Sequence, residues 1–227
     1  RAIRGEIGTT VKLKIVRGQE IKEFAITREE VKDPSVRSEV KNGVGILTVS
    51  RFDEQTGSLA RKAAQEFVGQ NVRGVVLDLR GDGGGYLDAA QALASLWLDN
   101  KLVTEQKRDG VTIARVMSQG DALLANIKTV VLINGGTASA SEIVAGALHD
   151  HGKATLLGEK SFGKGSVQEP LALDDGSLLK ITVSRWYTPK GNNVSDKGIT
   201  PDTEVKRSND DANAGRDPQM DAATTRL

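Results

Sequence analysis

The sequence of 227 residues predicts an α/β fold, in which helices flank a mixed β-sheet. Short apolar runs of strand length alternate with segments of helical apolar spacing through residue 158. Glycine-rich turns separate several of these runs. Hydrophobic residues make up 38% of the chain, which is enough to form a buried core at this length.

The N-terminal region predicts a β-hairpin. Residues 11–16 and 21–26 alternate apolar and polar side chains with period two, and residues 17–20 form the turn between them. A hairpin of two strands is marginally stable alone in water. We therefore expect residues 1–32 to belong to a separate small domain with its linker.

The core is predicted to span residues 33–206. Residues 44–49 form its first strand, and residues 58–70 form a helix with apolar side chains on one face. The next predicted elements are a strand at 73–80, a helix at 87–98, a strand at 127–134, a helix at 141–149, a strand at 154–157 and extended chain at 178–187. Residues 207–227 carry few large apolar side chains, which predicts a mobile C-terminal tail.

Composition excludes several classes of function. The formal net charge is +1, so the chain has no charge excess that favours nucleic acid as a partner. No apolar run reaches 18 residues, which predicts no membrane span in this chain. His149 and His151 are two residues apart, and on a helix they project about 200° from each other. With no cysteine and no second cluster of ligands, we predict no metal site. We also expect no cofactor.

Ser139 is the first candidate catalytic residue, because it lies where a predicted strand gives way to a predicted helix. The first N–H groups of a helix have no intrahelical acceptor. The amide of Ala140 is therefore available to an oxyanion formed on a substrate bound to Ser139. Taken alone, the serine-rich run 137–142 is better explained by helix capping.

Lys164, in the run Phe162-Gly-Lys-Gly165, is the candidate base. A lysine can take the proton of a serine when its own ammonium group is desolvated. The flanking glycines allow close approach of other segments, and we expect Phe162 to help bury the lysine. For a lysine considered in isolation, a solvated surface position is the default.

A third segment, the glycine-rich run at 81–85, joins a predicted strand to a predicted helix. Its bare amides form a cradle suited to negative charge, although a plain tight turn also explains a glycine run. The run from Gly158 to Gly165 resembles a phosphate-binding loop, but Gly165 replaces the magnesium-binding Ser or Thr. Glu142 is better explained as an acidic residue in a first helical turn than as a site residue.

These motifs together resemble the carboxy-terminal processing proteases, also called tail-specific proteases. The resemblance covers about residues 1–205, and its order and spacing agree throughout. It is carried by the segments Asn-Gly-Gly-Thr-Ala-Ser-Ala-Ser-Glu-Ile at 134–143, Gly-Glu at 158–159, Phe-Gly-Lys-Gly at 162–165, Gln168, Tyr-Thr-Pro-Lys-Gly at 187–191 and Gly-Ile-Thr-Pro-Asp at 198–202.

The resemblance implies roles for individual residues. Ser139 is implied to be the nucleophile, Lys164 the base, and Gln168 the residue that orients the lysine. The amide of Ala140 and one amide of the glycine loop are implied to form the oxyanion hole. Gly85 is the first candidate for the second amide, and Gly84 is the alternative.

The resemblance also implies a crotonase-like or Clp-protease-like core, preceded by a β-hairpin that is the remnant of a PDZ domain. The implied function is a serine endopeptidase that cleaves proteins with apolar tails near their C-termini, through an acyl-enzyme. An adaptor protein or a homo-oligomer is a candidate partner, and the expected location is the periplasm or cell envelope, with an export signal upstream. The alternative is a catalytically silent relative that binds peptides or other ligands on the same fold.

Overall fold

The α/β class predicted from the sequence is confirmed by the computed structural model, which describes residues 3–30, 33–195 and 197–227. At residues 169 and 170 it describes the backbone alone. The chain divides into two units, Arg1–Pro34 and Ser35–Leu227. The boundary predicted between residues 32 and 33 involves residue 32, which lies outside the described residues.

The first unit contains the predicted hairpin. Strands β1 (Thr10–Arg17) and β2 (Glu20–Thr27) pair antiparallel along their whole length. Several large apolar side chains on these strands are exposed, among them Val16 and Ile21. A two-stranded ribbon cannot cover both of its faces, which explains this exposure. Its origin as part of a PDZ domain stays a prediction.

The second unit contains ten further strands and five helices in its described residues. In chain order they are β3 (Val36–Lys41), β4 (Val44–Val49), α1 (Thr56–Gly69), β5 (Gly74–Asp78), α2 (Leu87–Ala94), β6 (Leu102–Arg108), β7 (Val111–Met117), β8 (Thr129–Ile133), α3 (Ala140–Asp150), β9 (Thr155–Gly158), β10 (Ser166–Ala172), β11 (Leu178–Tyr187), β12 (Thr203–Glu204), α4 (Asn209–Asn213) and α5 (Pro218–Arg226).

A six-stranded sheet in the order β12-β9-β8-β5-β4-β3 forms the centre of this unit. Its strands pair in parallel except β3, which pairs antiparallel with β4. Alternate side chains of the strands point to opposite faces of the sheet. Leu47 and Leu77 join the core formed with α1, α2 and α3, whereas Ile46 and Val76 join Ala223 of α5. Helices therefore cover both faces, as the buried parallel strands require.

A second sheet is antiparallel, with strand order β10-β11-β6-β7. The β6-β7 hairpin interrupts the predicted alternation of strands and helices, because it is inserted between α2 and β8. Its turn contains Asp109 and Gly110, both with positive φ, and Asp-Gly is a strong hairpin signal that the prediction did not use. Strand β10 begins directly after the loop that carries Lys164.

Helix α2 is shorter than predicted and ends at Ala94. The chain then turns through single-turn hydrogen bonds, such as the one from Trp97 N–H to the carbonyl of Ala94. This turn buries Trp97 completely and lets its indole N–H donate to Thr129 Oγ1 at 2.8 Å. Packing of the indole against the sheet explains why the helix stops before the apolar pattern does.

The segment expected to be a mobile tail, residues 207–227, forms α4 and α5 in the structure. Arg80, two residues after β5, donates to Asp78 at 2.6 Å, to Asp217 at 2.8 Å and to Gln219 at 2.9 Å. Burial opposes the charge of Arg80, but its bonds to Asp78 and Asp217 raise its pKa above the usual value. This partly buried ion cluster holds the start of α5 beside the sheet. No helix in the described part of the chain is long and apolar enough to cross a membrane.

Candidate active site

Five of the six predicted site residues line one cavity of about 310 Å³. The five residues are Gly85, Ser139, Ala140, Lys164 and Gln168. Apolar side chains of Leu87, Ile143, Val167 and Trp186 line the same cavity. The fold therefore brings together three chain segments that are up to 83 positions apart in the sequence, from Gly85 to Gln168.

Ser139 has a strained backbone, with φ 57° and ψ −116°, at the position immediately before α3. A side chain with a β-carbon rarely adopts a positive φ, so the surrounding structure has to stabilise this conformation. The N–H of Ser139 donates to Glu142 Oε2 at 2.9 Å, and its carbonyl accepts from the N–H of Ile143 at 2.9 Å. The first turn of the helix thus holds the serine in a sharp strand-to-helix bend.

Two backbone amides beside Ser139 are available to an oxyanion. The N–H groups of Ala140 and Gly85 have no hydrogen-bond acceptor within the described residues. The N–H of Gly84 donates to Asp82 Oδ1 at 2.8 Å and is therefore occupied. These bonds favour Gly85 over Gly84 as the donor from the glycine loop.

The glycine loop contacts the nucleophile segment too closely for larger residues. A β-carbon at Gly84 would lie 2.8 Å from the nitrogen of Ala140 and 2.8 Å from the β-carbon of Ser139. A β-carbon at Gly85 would lie 2.0 Å from the carbonyl oxygen of Phe52. Both glycines also have positive φ. Glycine is therefore required at both positions for conformation and for space.

Further hydrogen bonds join the glycine loop to the nucleophile segment. The carbonyl of Asp82 accepts from the N–H of Ala138 at 2.9 Å and from the hydroxyl of Ser141 at 3.0 Å. The side-chain oxygen of Asn134 accepts from the N–H of Gly81 at 2.9 Å. The predicted turn and the predicted capping run therefore form one connected unit.

Lys164 is held by its backbone, whereas its side chain is exposed. Its N–H donates to Glu142 Oε2 at 2.9 Å, and its carbonyl accepts from the indole N–H of Trp186 at 2.9 Å. Within the described residues, the ammonium group has no hydrogen-bond or ion-pair partner. The expectation that Phe162 helps to bury the lysine is wrong, because Phe162 is itself 66% exposed.

Gln168 lies on β10, which begins two residues after Lys164. The pairing of β10 with β11 shifts register between Val167 and Gln168. Such an irregularity changes the direction of side chains along a strand. The Gln168 side chain is exposed and lines the cavity with the lysine.

Glu142 is the site residue whose importance the sequence analysis missed. Its side chain is 0% exposed, and it accepts hydrogen bonds from four groups in two separate segments. The donors are the N–H of Ser139 at 2.9 Å, the hydroxyl of Ser161 at 2.5 Å, the N–H of Gly163 at 2.8 Å and the N–H of Lys164 at 2.9 Å. One signal was available, since Glu142 immediately precedes the apolar run 143–145 in a helix buried on all sides.

Asp82 is a second acidic group that the sequence analysis did not single out. Its side chain is 0% exposed, Oδ1 accepts from Gly84, and Oδ2 has no hydrogen-bond partner within the described residues. Burial raises the pKa of Asp82 to about 6, against the opposing effects of the Gly84 N–H and the Ser141 hydroxyl.

The two histidines have separate partners. His149 Nε2 lies 3.0 Å from Asp202 Oδ1, and His151 Nε2 lies 2.7 Å from the carbonyl oxygen of Leu102. No group of three or more acidic, histidine or cysteine side chains suited to a metal occurs in the described ranges. The run 158–165 is followed by strand β10, whereas a phosphate-binding loop is followed by a helix.

Comparison with known proteins identifies the family. The model of Peptidase family S41 matches residues 43–205, which include every residue of the cavity described above. A probable CtpA-like serine protease of Staphylococcus haemolyticus is 39% identical over 207 residues, covering 90% of this chain and 42% of that protein. A protein of the same description from Staphylococcus aureus is 37% identical over 205 residues, covering 89% of this chain and 41% of that protein. The chain thus spans about two fifths of the length of these relatives.

Solved structures agree with this match. The photosystem II D1 C-terminal processing protease has a TM-score of 0.73 and 30% identity, over 89% of this chain and 57% of its own. The tricorn protease shares the fold, with a TM-score of 0.57 and 18% identity, over 97% of this chain and 22% of its own. These likenesses confirm the expected core fold. Together with the family match they confirm the resemblance carried by the motifs, and the chain belongs to peptidase family S41.

Proposed function

We propose that this chain is the catalytic part of a serine endopeptidase that cleaves proteins near their C-termini through an acyl-enzyme. One observation carries the proposal: a strained serine, a lysine and two backbone amides meet in a single cavity, and neither the lysine ammonium group nor the amides have a partner within the described residues. A binding protein has no need for this combination. Membership of family S41 supports the same conclusion.

The cavity provides each group that acyl transfer needs. Ser139 Oγ attacks the scissile carbonyl carbon while Lys164 takes the hydroxyl proton. The N–H groups of Gly85 and Ala140 donate to the oxyanion that develops on the carbonyl oxygen. Lys164 returns the proton to the leaving amine, and water then releases the acyl group from Ser139.

In this mechanism, substrate binding completes the environment of the base, Lys164. The Lys164 side chain is exposed in the chain without substrate, and a peptide that fills the cavity removes water from around it. Gln168 lines the same cavity and orients the amine toward Ser139. Because the backbone of Lys164 is already fixed by Glu142 and Trp186, only the side chain has to settle on binding.

The lining of the cavity indicates the substrate class. Leu87, Ile143, Val167 and Trp186 favour an apolar side chain next to the cleaved bond. Strand β10 is an edge strand that begins at the cavity, so an extended peptide can pair with its backbone without much demand on sequence. An unfolded protein tail with apolar residues fits both features.

The proposal extends to the setting of the enzyme. A substrate with an unfolded tail is best met in the periplasm or cell envelope, as the family resemblance implies. An adaptor protein or a homo-oligomer would present such tails to the site. Fractionation of cells that produce the tagged protein tests the location.

The test compares the parent chain with Ser139→Ala, Lys164→Ala and Lys160→Ala. An unfolded protein with an apolar C-terminal tail serves as substrate, and intact mass reports the cut positions. We expect Ser139→Ala and Lys164→Ala to lower the rate by at least about 10³-fold, as losses of catalytic nucleophiles and bases do. Lys160→Ala changes an exposed lysine in the same segment and controls for the loss of charge.

Cleavage by Ser139→Ala at the parental rate would overturn the mechanism. Binding of the tail peptide by the parent without any cleavage would favour the alternative, a silent binding relative. Cleavage in the middle of the substrate, with no products near its C-terminus, would keep the serine peptidase and remove the C-terminal specificity.

A further inference from the structure

Asp82 lies between the two halves of the proposed oxyanion hole. Its side-chain Oδ1 accepts from the N–H of Gly84, next to the donor Gly85. Its carbonyl oxygen accepts from the N–H of Ala138 and from the hydroxyl of Ser141, on either side of Ser139 and Ala140. One residue therefore sets the distance between the two amides that would hold the oxyanion.

The bond to Gly84 also selects which amide is free. Because Asp82 Oδ1 occupies the N–H of Gly84, the neighbouring N–H of Gly85 is the one left without an acceptor in the described part of the chain. Loss of this bond would allow the peptide planes of the loop to rotate, since Gly83 and Gly84 restrict the backbone little. The carboxyl group thus fixes the orientation of the oxyanion donor.

The environment of the Asp82 carboxyl favours its neutral form. The side chain is completely buried, and Oδ2 has no partner within the residues described. A buried carboxylate that receives a single N–H bond is poorly compensated for the water it has lost. The raised pKa, about 6 and caused mainly by burial, agrees with this geometry.

Charged groups around the loop do not reverse this preference. Arg80, the nearest cation in sequence, is engaged with Asp78, Asp217 and Gln219, and Asp82 makes no ion pair within the described residues. The titratable groups on the neighbouring segments are Asp78 of β5, Arg80 shortly after it, Arg51 and Asp53 after β4, Tyr86 and Asp88 at the start of α2, Glu142 of α3, and Lys164 before β10.

We propose that Asp82 is a positioning residue of the oxyanion hole and that it acts as the neutral acid. This inference rests on the proposed protease function. A neutral carboxyl keeps the Gly84 bond and places no negative charge beside the oxyanion that forms in the transition state. An ionised carboxyl opposes that oxyanion and draws water toward the loop.

The first experiment measures kcat and KM for the parent, Asp82→Asn and Asp82→Ala between pH 5 and pH 8. Asparagine keeps the shape and the acceptor but cannot ionise. We expect the ratio of kcat for Asp82→Asn to kcat for the parent to rise at least about 5-fold from pH 5 to pH 8. Asp82→Ala loses the Gly84 bond, and its kcat should fall at least about 10-fold with KM changed little. Any effect of Lys164 on the pH dependence of kcat is common to the parent and the two variants, so it cancels in the ratios of their kcat values.

The second experiment measures Tm, which does not depend on activity. The pKa of Asp82 is raised from 3.8 to about 6 on folding, so its stabilising effect is present below pH 3.8 and is lost as the pH rises through about 6. Asp82→Asn does not titrate. The Tm of Asp82→Asn minus that of the parent should therefore become more positive between pH 4 and pH 8. Asp88→Asn, at an exposed aspartate on the adjoining helix, controls for the loss of one carboxylate.

A rising kcat ratio together with a widening Tm difference supports the proposal. A kcat ratio that does not change with pH overturns the catalytic role of the neutral acid, and an Asp82→Ala variant with parental kcat overturns the positioning role. A Tm difference that stays constant over this pH range overturns the proposal that Asp82 is a neutral acid. If the parent cleaves nothing while the Tm difference widens, the protease function and the positioning role fail, and the neutral buried acid stands.

Discussion

The two sides of the cavity differ in how they are held. The nucleophile side consists of residues 134–142 and the glycine loop 81–85, and Thr137, Ser141 and Glu142 in it are fully buried. The base side consists of residues 162–168, where the side chains of Phe162, Lys164 and Gln168 are exposed. Under the proposed mechanism, this contrast means that the oxyanion donors are positioned before substrate arrives, whereas the base gains its environment from the substrate.

The same carboxylate supports both sides. Glu142 accepts from the N–H of Ser139 on the nucleophile side, and from the N–H groups of Gly163 and Lys164 on the base side. It fixes the backbone on each side, whereas the lysine side chain has no hydrogen-bond or ion-pair partner in the part of the chain that the structure describes. The backbone of both sides is therefore held by one residue, although the side chains of the two sides differ in exposure.

Substitution of Glu142 should disturb the backbone on both sides of the cavity. Of the substitutions predicted here, it should have the largest effect on stability and on kcat. Glu142→Ala leaves four buried or partly buried donors without their acceptor, each worth about 1–3 kcal/mol. We expect a loss of at least about 3 kcal/mol in the free energy of unfolding and of at least about 10²-fold in kcat. Urea unfolding and steady-state kinetics measure the two losses.

Two controls sharpen this prediction. Glu142→Gln keeps one acceptor oxygen but loses the charge that strengthens the bonds, so it should lie between the parent and Glu142→Ala in both stability and kcat. Glu66→Gln changes an exposed glutamate of α1 and should leave both values near those of the parent. Parental kcat in Glu142→Ala would show that the two segments are held together by other contacts.

Substitution of Gly84 should damage the nucleophile side alone. A β-carbon there meets Ala138, Ser139 and Ala140 at 2.7–2.8 Å, and φ is +94°. We expect Gly84→Ala to lower kcat about 10²-fold by displacing an oxyanion donor. Gly83→Ala is the matched control, because a β-carbon at Gly83 meets nothing within 4 Å and its φ is not positive. Equal kcat values for the two variants would contradict a tightly packed oxyanion loop.

Substitution of Gln168 should affect the base side alone and have the smallest effect. Its side chain is exposed, so Gln168→Ala should leave the free energy of unfolding within about 0.5 kcal/mol of the parent. We expect kcat to fall about 10-fold, because a misoriented lysine transfers the proton less well. Gln70→Ala, at an exposed glutamine after α1, is the control measured in the same kinetic assay. An unchanged kcat in Gln168→Ala would contradict the proposal that Gln168 orients the lysine.

The local pattern of apolar and polar residues was sufficient to predict much of the fold. The strand at Val44–Val49 and the strand at Leu178–Tyr187 have the predicted bounds, and helix α3 differs from prediction by one residue at each end. These segments carry strong apolar periodicity or β-branched composition, which acts over a few residues. Strand β7 was missed because the Asp-Gly turn signal directly before it was not used. Helix α5 was missed because its side chains are mostly polar and because it depends on Arg80, which is distant in the chain.

The sequence by itself identified the family and the residues proposed to carry the chemistry. Ser139, Lys164 and Gln168 lie in motifs specific enough to identify the family, and the glycine loop is the proposed second oxyanion segment. Only the tertiary structure decided the strained φ of Ser139, the choice of Gly85 over Gly84, and the burial of Glu142 and Asp82. The reason is physical. Residue type fixes what a group can do, but its strain, partners and access to water depend on segments that are distant in the chain.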